Sequence, residues 1–133
     1  NPDHIMSITY KAMALCSINM VKDAIIYSDK ALSLEPNNID ALYTKIIALI
    51  KITKYNDALR CIEQIERIKP QYRETAYYLG LCLSNLGQFE QAIATFDKFL
   101  QIHPNHIDCL LQKGILLGKL AQFETSILCF NQI

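Results

Sequence analysis

Apolar positions along the chain follow a helical spacing that is interrupted at intervals. Between Leu32 and Ile50, an apolar helix-like run stops at Glu35-Pro36-Asn37-Asn38 and resumes at Ile39. Proline has no backbone N–H and disfavours the α region for the residue before it, so one helix is expected to end near Glu35. Asparagine accepts hydrogen bonds from the free N–H groups at a helix start, so the next helix is expected to begin beside Ile39.

This break recurs at a fixed spacing. The four prolines of the chain are Pro2, Pro36, Pro70 and Pro104, and successive prolines are 34 residues apart. A fixed period of about 20–50 residues is typical of proteins built from stacked repeats. The units in this register are residues 5–38, 39–72, 73–106 and 107–133, of which the last is shorter than the period.

Each unit is predicted to contain two helices. Apolar side chains recur at offsets of three and seven residues in the first segment, which places them on one helical face. A break is expected in the middle of every unit, and Gly87 is suited to the positive φ that ends a helix. The residues at this break are Asn19-Met20, Thr53-Lys54, Gly87-Gln88 and Ala121-Gln122.

Small residues recur at two positions of the repeat. Ala24, Ala58, Ala92 and Ser126 share a position in the second helix, and Ala12, Gly80 and Gly114 share one in the first. A small side chain lets two helix backbones approach closely. Glycine costs about 1 kcal/mol in a helix relative to alanine, so we expect close packing to compensate at Gly80 and Gly114.

The pattern resembles the tetratricopeptide repeat over nearly the whole chain. The resemblance implies an all-α, right-handed superhelical solenoid of antiparallel helix pairs, with about four 34-residue repeats in one domain spanning residues 1–133. Wider helix packing is expected at Ile46, Ile65, Phe99 and Ile133, where the family prefers smaller residues. The residues that carry the resemblance are Ala12, Ala24, Ala31 and Pro36, then Leu42, Ala58 and Pro70, then Leu79, Gly80, Leu83, Ala92, Phe96 and Pro104, and finally Gly114, Leu117, Phe123 and Phe130.

Both ends of the chain resemble cut repeats. Asn1-Pro2-Asp3-His4 is similar to the end of a preceding unit, and the fourth unit stops at Ile133 without a polar capping helix. Solenoids need such a cap to shield their last apolar face. We therefore expect a piece of a longer array, with self-association through its C-terminal end.

The resemblance implies a concave groove lined by the first helices. The side chains assigned to this groove are Tyr10, Met13, Asp40, Tyr43, Thr44, Ile47, Glu74, Tyr77, Tyr78, Leu81, Leu111 and Gln112. Family members that bind chaperone tails use lysine and asparagine as a carboxylate clamp, and these positions hold neither. An apolar, tyrosine-rich groove with acidic spots suits a helix or extended segment with apolar anchors and some basic residues. The same spacing also fits residues packed in a core, and Asp40, Glu74 and Asp108 also fit first-turn acids that complement the helix dipole.

Composition and charge narrow the function classes. Thirteen basic residues balance thirteen acidic ones, so the chain lacks the positive charge typical of nucleic-acid binders and of proteins that bind anionic membranes. No stretch has the ~20 apolar residues of a membrane span. Five cysteines without a C-x-x-C pair favour a reducing compartment, and we expect the cytoplasm or the nucleus.

Reactive or metal-binding chemistry has little support in the sequence. His103, His106 and Cys109 form an H-x-x-H-x-x-C run, but no fourth ligand accompanies it. Lone cysteines usually act as small core residues. Lys45 and Lys113 are expected to extend along neighbouring helices. We therefore predict no cofactor, no metal and no enzymatic activity.

The sequence predicts a protein-interaction scaffold that captures a protein or peptide partner in the concave groove. Two alternatives remain open at this stage. The chain is an architectural segment that builds a homo-oligomer or a larger complex by end-to-end stacking, or it is the targeting arm of a larger enzyme. Fold alone does not decide among them.

Overall fold

The computed structural model describes residues 2–70 and 74–131, with side chains described from Asp3 to Glu124. Secondary structure in these ranges is helical, in agreement with the predicted all-α class. The described helices are α1 (Pro2–Ser17), α2 (Val21–Leu34), α3 (Ile39–Lys51), α4 (Tyr55–Ile68), α5 (Ala76–Asn85), α6 (Phe89–Ile102) and α7 (Ile107–Asn131).

The helices stack as a curved array. Each helix packs against the next along the chain, and α1 also contacts α3, α3 contacts α5, and α5 contacts α7. Within residues 2–70 and 74–131, the backbones of the second helices α2, α4 and α6 do not approach one another closely. The first helices are therefore closer together and lie on the inner face of the curve. This arrangement confirms the predicted solenoid of helix pairs.

The turns inside the first three units share one geometry. Asn19, Thr53 and Gly87 have φ values of 65°, 62° and 84°, so each occupies the left-handed region. In each turn the following N–H reaches back five residues, from Met20 to Leu15 O (2.9 Å), Lys54 to Leu49 O (2.9 Å) and Gln88 to Leu83 O (2.9 Å). This bond pattern defines the Schellman motif, which closes a helix C-terminus. The positive φ predicted for Gly87 is confirmed.

The fourth unit lacks the predicted break. Helix α7 runs without interruption through Ala121 and Gln122 and ends at Asn131. The position that holds Asn19 and Gly87 in other units holds Ala121, and alanine is the best helix former but disfavours positive φ. The expectation of a turn at Ala121-Gln122 was therefore wrong. The small-residue position at Ser126 lies outside the described side chains.

The turn between the first two units begins and ends as predicted. Helix α2 ends at Leu34 and α3 starts at Ile39. The side chain of Asn38 caps α3, because its Oδ1 accepts a hydrogen bond from the backbone N–H of Ala41 (3.0 Å). Asn38 Nδ2 also donates to Thr9 Oγ1 (3.3 Å), which ties the start of α3 to α1.

The core of each unit forms where its two helices cross. Ala24, Ala58 and Ala92 are completely buried, as expected for the small position of the second helix. Gly80 lies under the ring of Phe96, and a Cβ atom there would come within 2.6 Å of Phe96 Cδ1. Close packing at Gly80 is therefore confirmed.

Gly114 has the opposite surroundings. A Cβ atom at Gly114 would meet no described atom within 4 Å. The close packing predicted at this position was wrong, because α7 continues straight and places no second helix over Gly114.

Ion pairs join neighbouring units. Lys45 of α3 contacts Asp29 of α2 (2.7 Å), and Lys113 of α7 contacts Asp97 of α6 (2.6 Å). Both lysines extend along a neighbouring helix as predicted. Burial acts to lower the pKa of Lys45, but the hydrogen bond and charge of Asp29 outweigh it, so the pKa is raised. None of the described helices is long and apolar enough to cross a membrane.

Candidate peptide-binding face

A small apolar pocket opens on the inner face between α1 and α3. Its volume is about 180 Å³, which suits one aliphatic or aromatic side chain of a partner. The pocket combines predicted groove residues with neighbours that the periodicity did not single out. Its lining residues are Met13, Cys16, Ser17, Tyr43, Thr44, Ile47 and Lys51.

Lys51 closes one end of this pocket. Its Nζ donates to the backbone carbonyl of Cys16 (3.0 Å) and to Asn19 Oδ1 (3.2 Å). The Cys16 carbonyl also accepts from the backbone N–H of Asn19 (3.1 Å), so the ammonium group adds a second hydrogen bond at the C-terminus of α1, where the helix dipole favours positive charge. Sequence reasoning missed this contact because it joins residues 35 and 32 positions apart.

A second, more polar cleft lies beside it near the start of α3. The cleft has a volume of about 580 Å³. Tyr10 lines it and is 58% exposed, and Asp40 and Glu35 contribute carboxylates. Thr9 is buried and its hydroxyl donates a hydrogen bond to Ile5 O (2.9 Å), so Thr9 forms part of the floor of the cleft. The lining residues are Ile5, Met6, Thr9, Tyr10, Glu35, Asn37, Asn38, Ile39 and Asp40.

Aromatic rings continue along the inner face from α3 to α7. Tyr43 meets Tyr78 edge to face with centroids 5.4 Å apart, and Tyr78 contacts Tyr77 at 5.3 Å. Tyr77 in turn lies 4.9 Å from the ring of His106. Edge-to-face geometry is favourable for aromatic pairs, so the rings support one another across the helices. We call Tyr43, Tyr78 and Tyr77 the tyrosine row.

Tyr77 is more a packing residue than a groove residue. Its ring lies between α5, α6 and the start of α7, 6.1 Å from Phe96 and 5.7 Å from Phe99. Burial raises the pKa of the Tyr77 hydroxyl, and the nearby charge of Asp108 raises it further. Helical spacing alone does not distinguish packing from ligand contact, because it shows on which face of a helix a residue lies but not what covers that face.

The remaining predicted groove residues differ in exposure. Thr44 is only 4% exposed, and its Oγ1 donates to Asp40 O (2.8 Å), so it forms the floor of the α1–α3 pocket. Asp40 and Glu74 are exposed, whereas Leu81 and Gln112 are half-buried. Leu111 is 59% exposed and lies on α7, beyond the two clefts.

The histidine and cysteine run at the start of α7 has a structural role. The backbone N–H of Cys109 donates to His106 Nδ1 (3.1 Å), so His106 occupies the position that Asn38 holds in α3. His103 lies against Phe99 with centroids 4.8 Å apart. The described residues contain no group of three or more side chains suited to a metal ion.

The described cysteines are unsuited to nucleophilic chemistry. Cys16, Cys61, Cys82 and Cys109 are buried and unpaired. Burial raises the pKa of each of these thiols, and raises that of Cys82 to about 11. The thiolate is the reactive form, and burial in apolar surroundings suppresses it.

A family comparison identifies the chain. The family described as anaphase-promoting complex, cyclosome, subunit 3 matches residues 53–133. The chain belongs to this family. The match covers the latter part of the second unit and the third and fourth units, which contain Tyr77, Tyr78 and α7. A search of curated proteins gives no significant match.

Solved structures with the same fold are tetratricopeptide proteins. MamA from Desulfovibrio magneticus is 26% identical with a TM-score of 0.79, and the match covers 96% of this chain and 72% of MamA. The tetratricopeptide domain of Arabidopsis OM64 is 15% identical with a TM-score of 0.78, covering 86% of this chain and 94% of the domain. YrrB, described as a tetratricopeptide protein with an unusual peptide-binding site, is 23% identical with a TM-score of 0.73. The match covers 89% of this chain and 61% of YrrB.

These findings confirm the tetratricopeptide resemblance and the all-α solenoid. The tetratricopeptide fold implies protein–protein interaction. The chain is accordingly a protein–protein interaction scaffold.

Proposed function

We propose that the chain binds a peptide or helical segment of a partner protein along its inner face. The observation that carries this proposal is the α1–α3 pocket, an apolar opening of about 180 Å³ beside the tyrosine row. Met13 lines this pocket and is 42% exposed. An apolar anchor in a preformed pocket costs little backbone ordering, which favours binding by a rigid scaffold.

The charges of this face favour a partner with a basic side chain next to its apolar anchor. Asp40 and Glu35 line the cleft that contains the exposed ring of Tyr10. A cation placed there meets a carboxylate and an aromatic face together. Lys51, the cation of the α1–α3 pocket, is already bonded to Cys16 O and Asn19. This arrangement of charges does not favour binding of a partner's free C-terminal carboxylate.

Family membership suggests the source of this partner. The family is named for a subunit of the anaphase-promoting complex, so we propose another protein of that complex as the bound chain. The scaffold itself carries out no catalysis, binds neither nucleic acid nor membrane, and works in the cytoplasm or the nucleus.

A pair of methionine variants tests the proposal. Met13 lines the α1–α3 pocket, whereas Met20 lies in the turn before α2, and their exposed fractions are similar at 42% and 46%. Surface plasmon resonance with the immobilised chain and the purified subunits of the complex measures affinity. Met13→Asp should weaken binding at least about tenfold, and Met20→Asp should leave it unchanged. Equal affinities for both variants and the parent would overturn the inner face as the binding site.

Self-association is a second candidate, favoured by the exposed apolar residues of α7. Leu110, Leu111, Ile115 and Leu117 are each about half exposed or more in the described structure. Phe130 and Ile133, at the C-terminal end, lie outside the described side chains. Sedimentation velocity on the parent and on Leu117→Lys separates the two candidates. Concentration-dependent dimers that Leu117→Lys abolishes support assembly through α7, and a strict monomer contradicts it.

A further inference from the structure

An exposed apolar stripe runs along α1. Met6, Tyr10 and Met13 are 50%, 58% and 42% exposed, and they follow one another at intervals of four and three residues. This spacing places the three side chains on one face of the helix. Met6 and Tyr10 line the polar cleft at the start of α3, and Met13 lines the α1–α3 pocket. The stripe therefore joins both openings into one groove parallel to the axis of α1.

Helix α3 forms the opposite side of this groove. Asp40 lines the polar cleft at one end, whereas Ile47 lines the α1–α3 pocket and Lys51 closes its far end. Asp40 and Ile47 are seven residues apart, as are Met6 and Met13 on α1. Seven residues of α-helix rise by about 10.5 Å, so the acidic opening and the apolar opening are separated by about that distance.

This separation distinguishes between conformations of a bound segment. In an α-helix, side chains at positions i and i+7 lie on one face and are about 10.5 Å apart along the axis. In an extended strand, side chains on one face recur at multiples of about 6.6 Å, and none matches this distance. A polyproline II helix comes closer, at about 9.3 Å for every third residue, but it presents no side chain to Tyr10 between the two openings.

The charges of the groove determine which side chains fit each opening. Asp40 and Glu35 are exposed and give the polar cleft two carboxylates. A guanidinium group there pairs with a carboxylate and stacks on the exposed ring of Tyr10. The α1–α3 pocket, of about 180 Å³, accommodates one apolar side chain, and the charge of Lys51 beside it disfavours a second cation.

We propose that the partner enters this groove as an amphipathic α-helix lying along α1 and α3. Its basic side chain occupies the polar cleft, an apolar side chain seven residues away occupies the α1–α3 pocket, and one between them covers Tyr10. This inference rests on the proposed function of the inner face and adds the conformation and side-chain spacing of the bound segment.

A pair of synthetic peptides tests the helical conformation. Each has about 16 residues in a serine-rich background and carries an arginine followed by leucines four and seven residues later. One peptide is held helical by a lactam bridge on its opposite face, and the other is linear. Fluorescence anisotropy should show that the bridged peptide binds at least about threefold more tightly, because its helix is already formed. Equal or weaker binding of the bridged peptide, or no binding by either, would overturn the proposal.

A third peptide tests the spacing. It is linear and has the same composition, but its leucines stand five and nine residues after the arginine and so lie on the other side of the helix. It should bind at least about fivefold more weakly than the first linear peptide. Equal affinities would contradict the predicted spacing.

Acid variants test the basic anchor. Asp40→Asn should weaken binding of the bridged peptide about threefold, and it should not affect a bridged peptide with glutamine in place of arginine. Asp23→Asn is the matched control, because Asp23 is the first-turn acid of α2 as Asp40 is of α3. Equal losses in both variants would rule out Asp40 as the partner of the arginine.

Nitrogen-15 NMR of the chain with the bridged peptide locates the bound helix. Shift changes should concentrate in α1 and α3, and changes that run across α3, α5 and α7 would overturn the proposed orientation. The Met13→Asp affinity for the purified subunits tests the proposed function separately. If that variant loses subunit binding while the peptides show no preference for the helical form, only the helical mode is wrong. A dimer of the parent that Met13→Asp dissociates would assign the groove to a second copy of the chain instead.

Discussion

The third unit and the first half of α7 carry glycine at the same position of the repeat, and the surroundings of the two glycines are opposite. Gly80 lies against the ring of Phe96, whereas Gly114 has open space. The difference arises because α6 folds back over α5, while α7 continues straight past Ala121. Two residues at the same position of the repeat therefore make the same packing contact only where the following helix folds back over the first.

The largest expected effect comes from removing the ring that defines the third unit. Phe96 is completely buried, and it forms one core cluster with Ala92, Phe99, Cys109 and Leu116. Phe96→Ala should lower the free energy of unfolding by about 3–5 kcal/mol, because burial is lost and a cavity remains. Urea denaturation followed by circular dichroism measures the change. A loss under about 1 kcal/mol would show that the ring does not hold α5 to α6.

The two glycines should respond to alanine with opposite signs. A Cβ at Gly80 would lie 2.6 Å from Phe96 Cδ1 and 2.8 Å from Phe96 Cζ, so the buried ring must shift. We expect Gly80→Ala to lower the free energy of unfolding by up to about 3 kcal/mol. Gly114→Ala should raise it by up to about 1 kcal/mol, because alanine favours the helix and meets no obstacle.

Urea denaturation of both glycine variants under one set of conditions gives the comparison directly. Gly118→Ala is a further control, since Gly118 also has open space around it. A stabilising Gly80→Ala would mean that α5 and α6 pack less closely than the structure indicates.

Much of this architecture could be predicted from the sequence, and the failures have physical causes. The proline spacing located the turns between units, and Gly87 pointed to a positive φ. Ala121 and Thr53 are both poor residues for that turn, yet the chain turns at Thr53 and not at Ala121. Local preference does not decide such a case, because the packing of the next helix outweighs a cost of about 1–2 kcal/mol.

The residues of the candidate site were also predicted only in part, because local pattern does not show how the helices pack. Spacing placed Tyr10, Tyr43 and Tyr77 on the first helices, but it did not distinguish an exposed ring from one packed between helices. Tyr10 is mostly exposed, while Tyr77 packs against Phe96 and Phe99. The bonds of Lys51 to Cys16 and Asn19 depend on how α1 and α3 stack, which no local pattern encodes.

Alkaline pH should weaken the third unit through its buried thiol. Cys82 in α5 is inaccessible to solvent, and burial raises its pKa from 9.0 to about 11. A raised pKa means that the folded state retains the proton, so this stability is complete below pH 9 and is lost as pH rises towards 11. The loss from this group at pH 11 is roughly 2 kcal/mol, since one pKa unit corresponds to about 1.4 kcal/mol.

Unfolding free energies at pH 7.5, 9, 10 and 11 measure this loss. Cys82→Ala removes the titrating group, so the variant should decline less steeply than the parent. Cys16, Cys61 and Cys109 also have raised pKa values and remain in both proteins, so part of the decline persists. Parallel curves for parent and variant would show that Cys82 does not contribute.

The smallest expected effects concern the turn that separates the two regions. Gly87 has a φ of 84°, and a side chain in this region costs about 1 kcal/mol, so Gly87→Ala should destabilise the chain by about that amount. Thr53 already has a φ of 62°, so Thr53→Gly should stabilise the chain by about 1 kcal/mol. Ala121→Gly should instead weaken α7, because the residue is helical there and glycine costs up to about 1 kcal/mol. Differential scanning calorimetry resolves changes of this size. If Ala121→Gly raised the melting temperature as Thr53→Gly should, residue 121 would share the turn geometry of the other units and the contrast between the third unit and α7 would fail.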